Sequence, residues 1–229
     1  MPLFKKDTEV LFVHIPKCGG SSIIESFRSQ QWQVELLNEP AKNNVPDILP
    51  CNPQHYHYEL LYHFLNINEI KEKFVIVRNP FHRLISEMVW RLPQWNNKID
   101  QNGYDLIFYN GLENFFISRG NDFLINENHF KNNKDEYLNR KQRLYYDNHL
   151  RPQIDFLNED FKLFKLEEID KIKKYLERFN IDKIFDINKT TSKEKPNFYN
   201  GFSTTFKNLY KKLYGEDHKQ LGYEMPFGD

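Results

Sequence analysis

The sequence has almost no cysteine. Two of its 229 residues are cysteine, Cys18 and Cys51. That is too few for a disulfide framework, and they do not have the spacing of a CxxC metal site. Net charge is also missing: 32 Lys and Arg balance 32 Asp and Glu. No bulk field draws the chain to nucleic acid or to a membrane. Long apolar runs are absent, and none approaches the ~20 residues of a membrane span. The opening MPLFKKDTEV holds no apolar h-region, so no signal peptide is read. The expectation is a soluble, cytoplasmic chain with no nucleic-acid partner and no membrane insertion. Repeats and linkers are lacking too, so residues 1–229 read as a single domain long enough for a real core.

Aromatics are plentiful at 16%, with 20 Phe and 13 Tyr. They must fill much of the core, so a lone aromatic says little about function. The most informative stretch is Glu9–Ile24, EVLFVHIPKCGGSSII. Its short apolar run, Val10–Val13, suits a buried strand of a parallel sheet. Pro16-Lys17-Cys18-Gly19-Gly20 then breaks the pattern. Ser21 and Ser22 follow, and Ile23, Ile24 and Phe27 form the inner face of a helix. A strand, a glycine loop and a helix N-terminus aim free amides and a helix dipole at one point, which favours phosphate. The loop is not a Walker A motif, because Lys17 precedes both glycines instead of following the second. Cys18 could be a low-pKa nucleophile or a small side chain tolerated in a tight loop; the second is the reading.

The second strong signal is Phe74–Ser86, FVIVRNPFHRLIS. Phe74–Val77 reads as another buried strand, with Arg78 at its C-terminal end. Asn79 suits an N-cap and Pro80 a first helical position. Ligands of open parallel sheets bind at the carboxyl ends of strands, so Arg78 and the Lys17 loop are expected at one sheet edge. Elsewhere, strands are expected over Trp32–Leu37 and Phe161–Leu166 and a short helix over Glu59–Leu65. Asn38–Pro53 reads as a long irregular loop. A short helix is expected around Leu112, Phe115 and Phe116, and Asn121–Asn139 reads as polar and loop-like. Asp100–Arg140 is either a peripheral excursion or a substrate-facing lid. Ile169, Ile172, Leu176 and Phe179 mark an amphipathic helix. A last helix carries Phe202 to Leu213 and ends at Gly215. The order gives a single α/β domain.

HIPKCGGSSI followed by FVIVRNPFHRLIS resembles the two nucleotide-binding signatures of sulfotransferases that use 3′-phosphoadenosine 5′-phosphosulfate (PAPS). The rest of the chain is similar to the carbohydrate branch that includes the heparan sulfate 2-O-, chondroitin and HNK-1 sulfotransferases. The matches are the HxH pair His55-Tyr56-His57, NHLRPQIDFL, KLEEI, the NKTT turn and YKKLYGEDHKQLGY, in the family's order. The resemblance implies a P-loop-NTPase-like three-layer sandwich, with a central mainly parallel sheet flanked by helices. It implies sulfuryl transfer from PAPS to a hydroxyl acceptor, a glycan or a small molecule, with PAP as product.

Two anion sites are needed for such a donor. Lys17, Cys18, Gly19, Gly20, Ser21 and Ser22 are expected to hold the 5′-phosphosulfate, and Arg78 with Ser86 the 3′-phosphate. Arg83 could serve the nucleotide or pair with a carboxylate. Lys17 would stabilise charge on the leaving oxygen. In an extended segment His55 and His57 share a face. His57 is the expected base, with His55 its helper or a substrate contact. His149, Arg151 and Gln153 are candidate substrate contacts or structural bridges. Lys165 and Glu167 read as architecture. Thr190, Thr191 and Lys193 could close over the nucleotide or simply cap a turn. His55 and His57 could form half of a zinc site, but no third ligand has convincing spacing, so no metal is expected. The chain shows neither the anchor nor the lumenal disulfides of the Golgi members. That points to a glycan precursor, a lipid-linked sugar or a small metabolite as acceptor. The competing readings are a nucleotide-dependent kinase and a non-catalytic PAP-binding protein.

Overall fold

The computed structural model describes residues 1–37, 49–91, 99–100, 103–104, 106–139, 142–185 and 201–228, and within 99–109 only the backbone. Its centre is a five-stranded sheet. The strands are β1 (Leu3–Lys5), β2 (Glu9–Val13), β3 (Gln33–Glu35), β4 (Glu72–Val77) and, after a small hairpin of β5 (Ile99–Asp100) and β6 (Gly103–Tyr104), β7 (Lys162–Lys165). Their order is β3-β1-β2-β4-β7. β2, β4 and β7 run parallel, with Phe12 opposite Phe74 and Phe74 opposite Lys162. β1 runs against both of its neighbours. The sheet is therefore mostly parallel, with one reversed strand. β1 has no counterpart among the expected strands, and β3 pairs over only three residues of Trp32–Leu37.

The two expected strand-to-helix units form as read. β2 leads into α1 (Gly20–Ser29), whose Ile23, Ile24 and Phe27 are buried. β4 leads into α3 (Pro80–Arg91). Oδ1 of Asn79 caps α3, accepting from the amides of Phe81 and His82 at 3.0 and 3.1 Å. Between them stands α2 (Tyr58–Phe64). Phe12, Phe27 and Phe74 are sealed from solvent. Each such ring contributes about 2 kcal/mol by burial, more than a surface ion pair.

The polar stretch expected as a loop is largely helix. α4 spans Leu106–Asn132 and α5 Lys134–Leu138. The buried stripe of α4 is Leu112, Phe116, Gly120, Phe123, Glu127 and Phe130. Its helical period is regular, but Gly and Glu occupy two of its positions, so the apolar signal is interrupted. Gly120 is there because a Cβ would lie 3.0 Å from Leu209 on the packed helix α7. Glu127 is there because Arg151 meets it. α6 (Ile169–Leu176) follows β7 as expected. α7 spans Thr204–Leu221 and does not stop at Gly215. Gly215 sits in regular helix, and Gly222, at φ 66°, makes the left-handed turn that ends it.

One apolar cluster joins the sheet to α1, α2 and α6; a second joins α3, α4 and α7. Among the described residues, no helix is long and apolar enough to cross a membrane.

Candidate active site

The β2–α1 loop is built for close approach. Lys17 and Gly19 both have left-handed backbones, at φ 68° and 81°. Gly19 is the N-cap of α1, no side chain caps the helix, and Gly19 O takes the amides of Ser22 and Ile23, so the amides of Gly20 and Ser21 are the ones placed for an outside acceptor. A Cβ on Gly20 would lie 2.0 Å from the His14 ring. The loop thus needs both glycines, one for its turn and one for its packing. The Lys17 ammonium lies 4.7 Å from the centre of the Trp90 ring. Burial, with Arg78 and Arg91 nearby, lowers its pKa to about 8 against the pull of Glu87. Cys18 is fully buried and its thiol is pushed up to about 12 by burial. It donates to Gln153 Oε1 at 3.3 Å and is no nucleophile.

Arg78 lies at the same sheet edge, and its Nη1 donates to Lys17 O at 3.4 Å. Its peptide is gripped by Gln153, whose Oε1 accepts from Arg78 N at 2.9 Å and whose Nε2 donates to Arg78 O at 2.7 Å. Gln153 is itself fixed by Asp217 on α7, which accepts from the amides of Gln153 and Ile154 at 2.8 and 3.0 Å. Ser86 stands half-buried on α3, two turns on from Arg78. Arg83 is buried and bonds two backbone carbonyls, Pro16 O through Nε at 3.0 Å and His149 O through Nη2 at 2.8 Å. It braces the glycine loop against the His149 segment. Glu167 accepts from Asn79 N at 2.9 Å, consistent with an architectural role.

Two histidine–carboxylate pairs, one buried and one with a half-buried carboxylate, meet beside this loop. His55 Nδ1 donates to Asp147 Oδ2 at 2.8 Å, and His149 Nδ1 donates to Glu87 Oε2 at 2.7 Å. The two imidazole centroids are 4.7 Å apart, edge to face. His14 sits 5.4 Å from His55. Trp90 stacks on His149 at 5.4 Å, which connects the cluster to Lys17. Burial lowers the His55 pKa to about 4, outweighing its bond to Asp147, so the ring is neutral at pH 7. Glu87 is held at about 2, because His149 and Arg91 favour its charge more than burial opposes it.

His57 lies elsewhere. Its ring packs edge-on to Phe130 and Phe156, Asn148 Nδ2 donates to its Nδ1 at 3.2 Å, and its buried Nε2 has no hydrogen-bond partner. The extended segment read for the HxH pair is interrupted, because Pro53–His55 forms a 3-10 turn and His57 is the N-cap of α2. Arg151 is buried, and its guanidinium meets Glu127, Asp155 and Asn148. Thr190, Thr191 and Lys193 lie outside the described residues.

Glu87, Asp147, Asn148, Trp90 and His14 were not singled out in the sequence. Glu87 had a signal: it is a carboxylate on the buried stripe of α3, between Leu84 and Met88. Asp147 had none, since its partner His55 is 92 residues away.

A model of the sulfotransferase family matches residues 3–224. No curated protein and no solved structure matches the chain. With that match running over nearly its whole length, the chain belongs to the sulfotransferase family.

Proposed function

We propose that the chain is a PAPS-dependent sulfotransferase. It would move the sulfuryl group to a hydroxyl of a carbohydrate by in-line displacement with a histidine base. One observation carries this reading: the uncapped N-terminus of α1 with Lys17 and the strand-end Arg78 adjoin at a single sheet edge, 3.4 Å apart at their contact. A donor with two anionic ends needs two such half-sites side by side. The mostly parallel sheet and the loop after β2 also support a P-loop-like three-layer sandwich forming one domain over residues 1–229.

PAPS, bound there, supplies an activated sulfuryl group and leaves as PAP. The amides of Gly19, Gly20 and Ser21 hold the 5′-phosphate end, where neither glycine presents a side chain to obstruct it. Arg78 and Ser86 hold the 3′-phosphate; Thr191 and Lys193 are proposed to close over the nucleotide. Lys17 offers its ammonium to the bridging oxygen as the S–O bond breaks. His55 takes the proton from the acceptor hydroxyl as the new O–S bond forms. Its Nδ1–H is held by Asp147, which leaves Nε2 as the basic nitrogen. This gives His55 the role first read for His57. His149 borders the acceptor, while Gln153 and Arg151 hold the frame. The carbohydrate class of acceptor rests on the resemblance of the HxH and NHLRPQIDFL segments.

A thermal-shift comparison of PAP, ATP and ADP tests the donor. PAP is expected to stabilise the chain most. Stabilisation by ATP and not by PAP would overturn the reading in favour of a kinase. Binding of PAP with no transfer of label from PAPS to any acceptor in a broad panel would leave a non-catalytic binding protein.

A further inference from the structure

The sequence offered His55 and His57 as half of a metal site without a third ligand. The fold separates that pair and gives His55 different neighbours. One donor atom each from His55, Asp147 and His149 lies within 4.8 Å of the others. From these three residues we infer a binding site for a divalent transition-metal cation, with zinc as its natural test ion.

The donor set is chemically apt. Two imidazole nitrogens and one carboxylate oxygen suit zinc or another late first-row ion, and three protein ligands leave a position open for water. The surroundings are those of a built ligand shell. His149 turns its Nδ1–H to the buried Glu87 at 2.7 Å, the carboxylate–histidine arrangement that orients a ligating ring. Asp147 is fixed from its far oxygen, which accepts from Asn52 N at 2.6 Å. An independent feature points the same way. His14 is more than nine-tenths buried, stands 5.4 Å from His55, and has an Nδ1 with no partner. A buried, unpartnered imidazole nitrogen on a ring beside the cluster is the kind of group that a water on the ion would satisfy.

Ligation would occupy His55, so the ion would block transfer. That consequence rests on the proposed base; the binding site does not. The test is calorimetric titration of tag-free protein with zinc chloride. One ion per chain is expected, with affinity largely lost in Asp147→Asn and in His149→Ala, roughly tenfold weaker in Glu87→Gln, and unchanged in His57→Ala. Substitution by cobalt(II) is expected to give a tetrahedral spectrum without thiolate charge-transfer bands. This reading on the wild-type chain decides the matter even if a ligand variant fails to fold. Absence of zinc binding, binding that survives both ligand substitutions, or thiolate bands implicating Cys18 or Cys51 would each overturn the site. Zinc binding that leaves sulfuryl transfer unchanged would uphold the site and overturn His55 as the base.

Discussion

Asn148 donates its Nδ2 hydrogen to Nδ1 of His57 at 3.2 Å. The direction is set by Arg151, whose Nε donates to Asn148 Oδ1 at 2.9 Å. Arginine only donates, so the other end of the Asn148 amide is its NH2 group. The Nδ1 lone pair of His57 is therefore taken, and its proton sits on a buried Nε2. His55 carries the opposite tautomer, with its proton on Nδ1 facing Asp147.

The first prediction follows from these tautomers. His55→Ala should lower label transfer from PAPS by at least ~100-fold, the usual contribution of a general base. The thermal shift given by PAP should persist. His57→Ala should lose stability, since it removes a buried ring packed against Phe130 and Phe156, but turnover per folded molecule should stay near wild type. The reverse pattern would return the base to His57.

Gln153 ties the two halves of the anion site together, because the same carboxamide meets Arg78 N, Arg78 O and Cys18 Sγ. Gln153→Ala strands these backbone groups. Stability should fall by about 1–3 kcal/mol in urea unfolding. PAP affinity should weaken as Arg78 loses its register. Unchanged PAP affinity in a folded variant would show that Arg78 is held by other means.

Asp217 makes stability depend on pH. Burial pushes its carboxyl up from 3.8 to about 6, despite the two amides it accepts. Unfolded, the group ionises near its ordinary value. Between those two values the folded chain holds the proton more firmly, so this group's contribution is full below 3.8 and declines as pH rises to about 6. Asp217→Asn should flatten that part of the stability profile. The change across the window should be on the order of 3 kcal/mol at most. Urea unfolding of both proteins across the window measures it; parallel profiles would contradict the assignment.

The two loop glycines should differ. Gly20→Ala drives a Cβ to 2.0 Å from the His14 ring, so the loop or the ring must shift. Loss of PAP binding and about 3 kcal/mol of stability are expected, the upper end of the usual cost of overpacking a core. Gly19→Ala meets only the tip of Leu166 at 3.0 Å and a left-handed backbone. It should cost about 1–2 kcal/mol and retain weakened binding. Equal effects would mean that the loop, not His14, sets the limit.

Much of the frame was legible because its signals are local. The apolar run before Lys17 and the Asn79-Pro80 cap each lie within a few residues and form as read; the stripe Ile169–Phe179 forms as α-helix to Leu176, with Phe179 buried in the 3-10 turn that follows. α4 was illegible for a local reason too: Gly120 and Glu127 interrupt its stripe. Their fitness depends on Leu209 and Arg151, which no window around α4 contains. The short strand β1, paired between β3 and β2, has no visible sequence signal because three residues carry too little periodicity.

The sequence by itself determined where the chain turns from strand to helix around Lys17 and Arg78, and so where an anion could be held. Caps, glycines and periodicity act over a single turn of chain. Only the tertiary structure decided which partner each histidine ring meets. That choice depends on Asp147, Asn148 and Glu87, brought from distant segments to rings whose nitrogens each accept or donate according to the neighbour they meet.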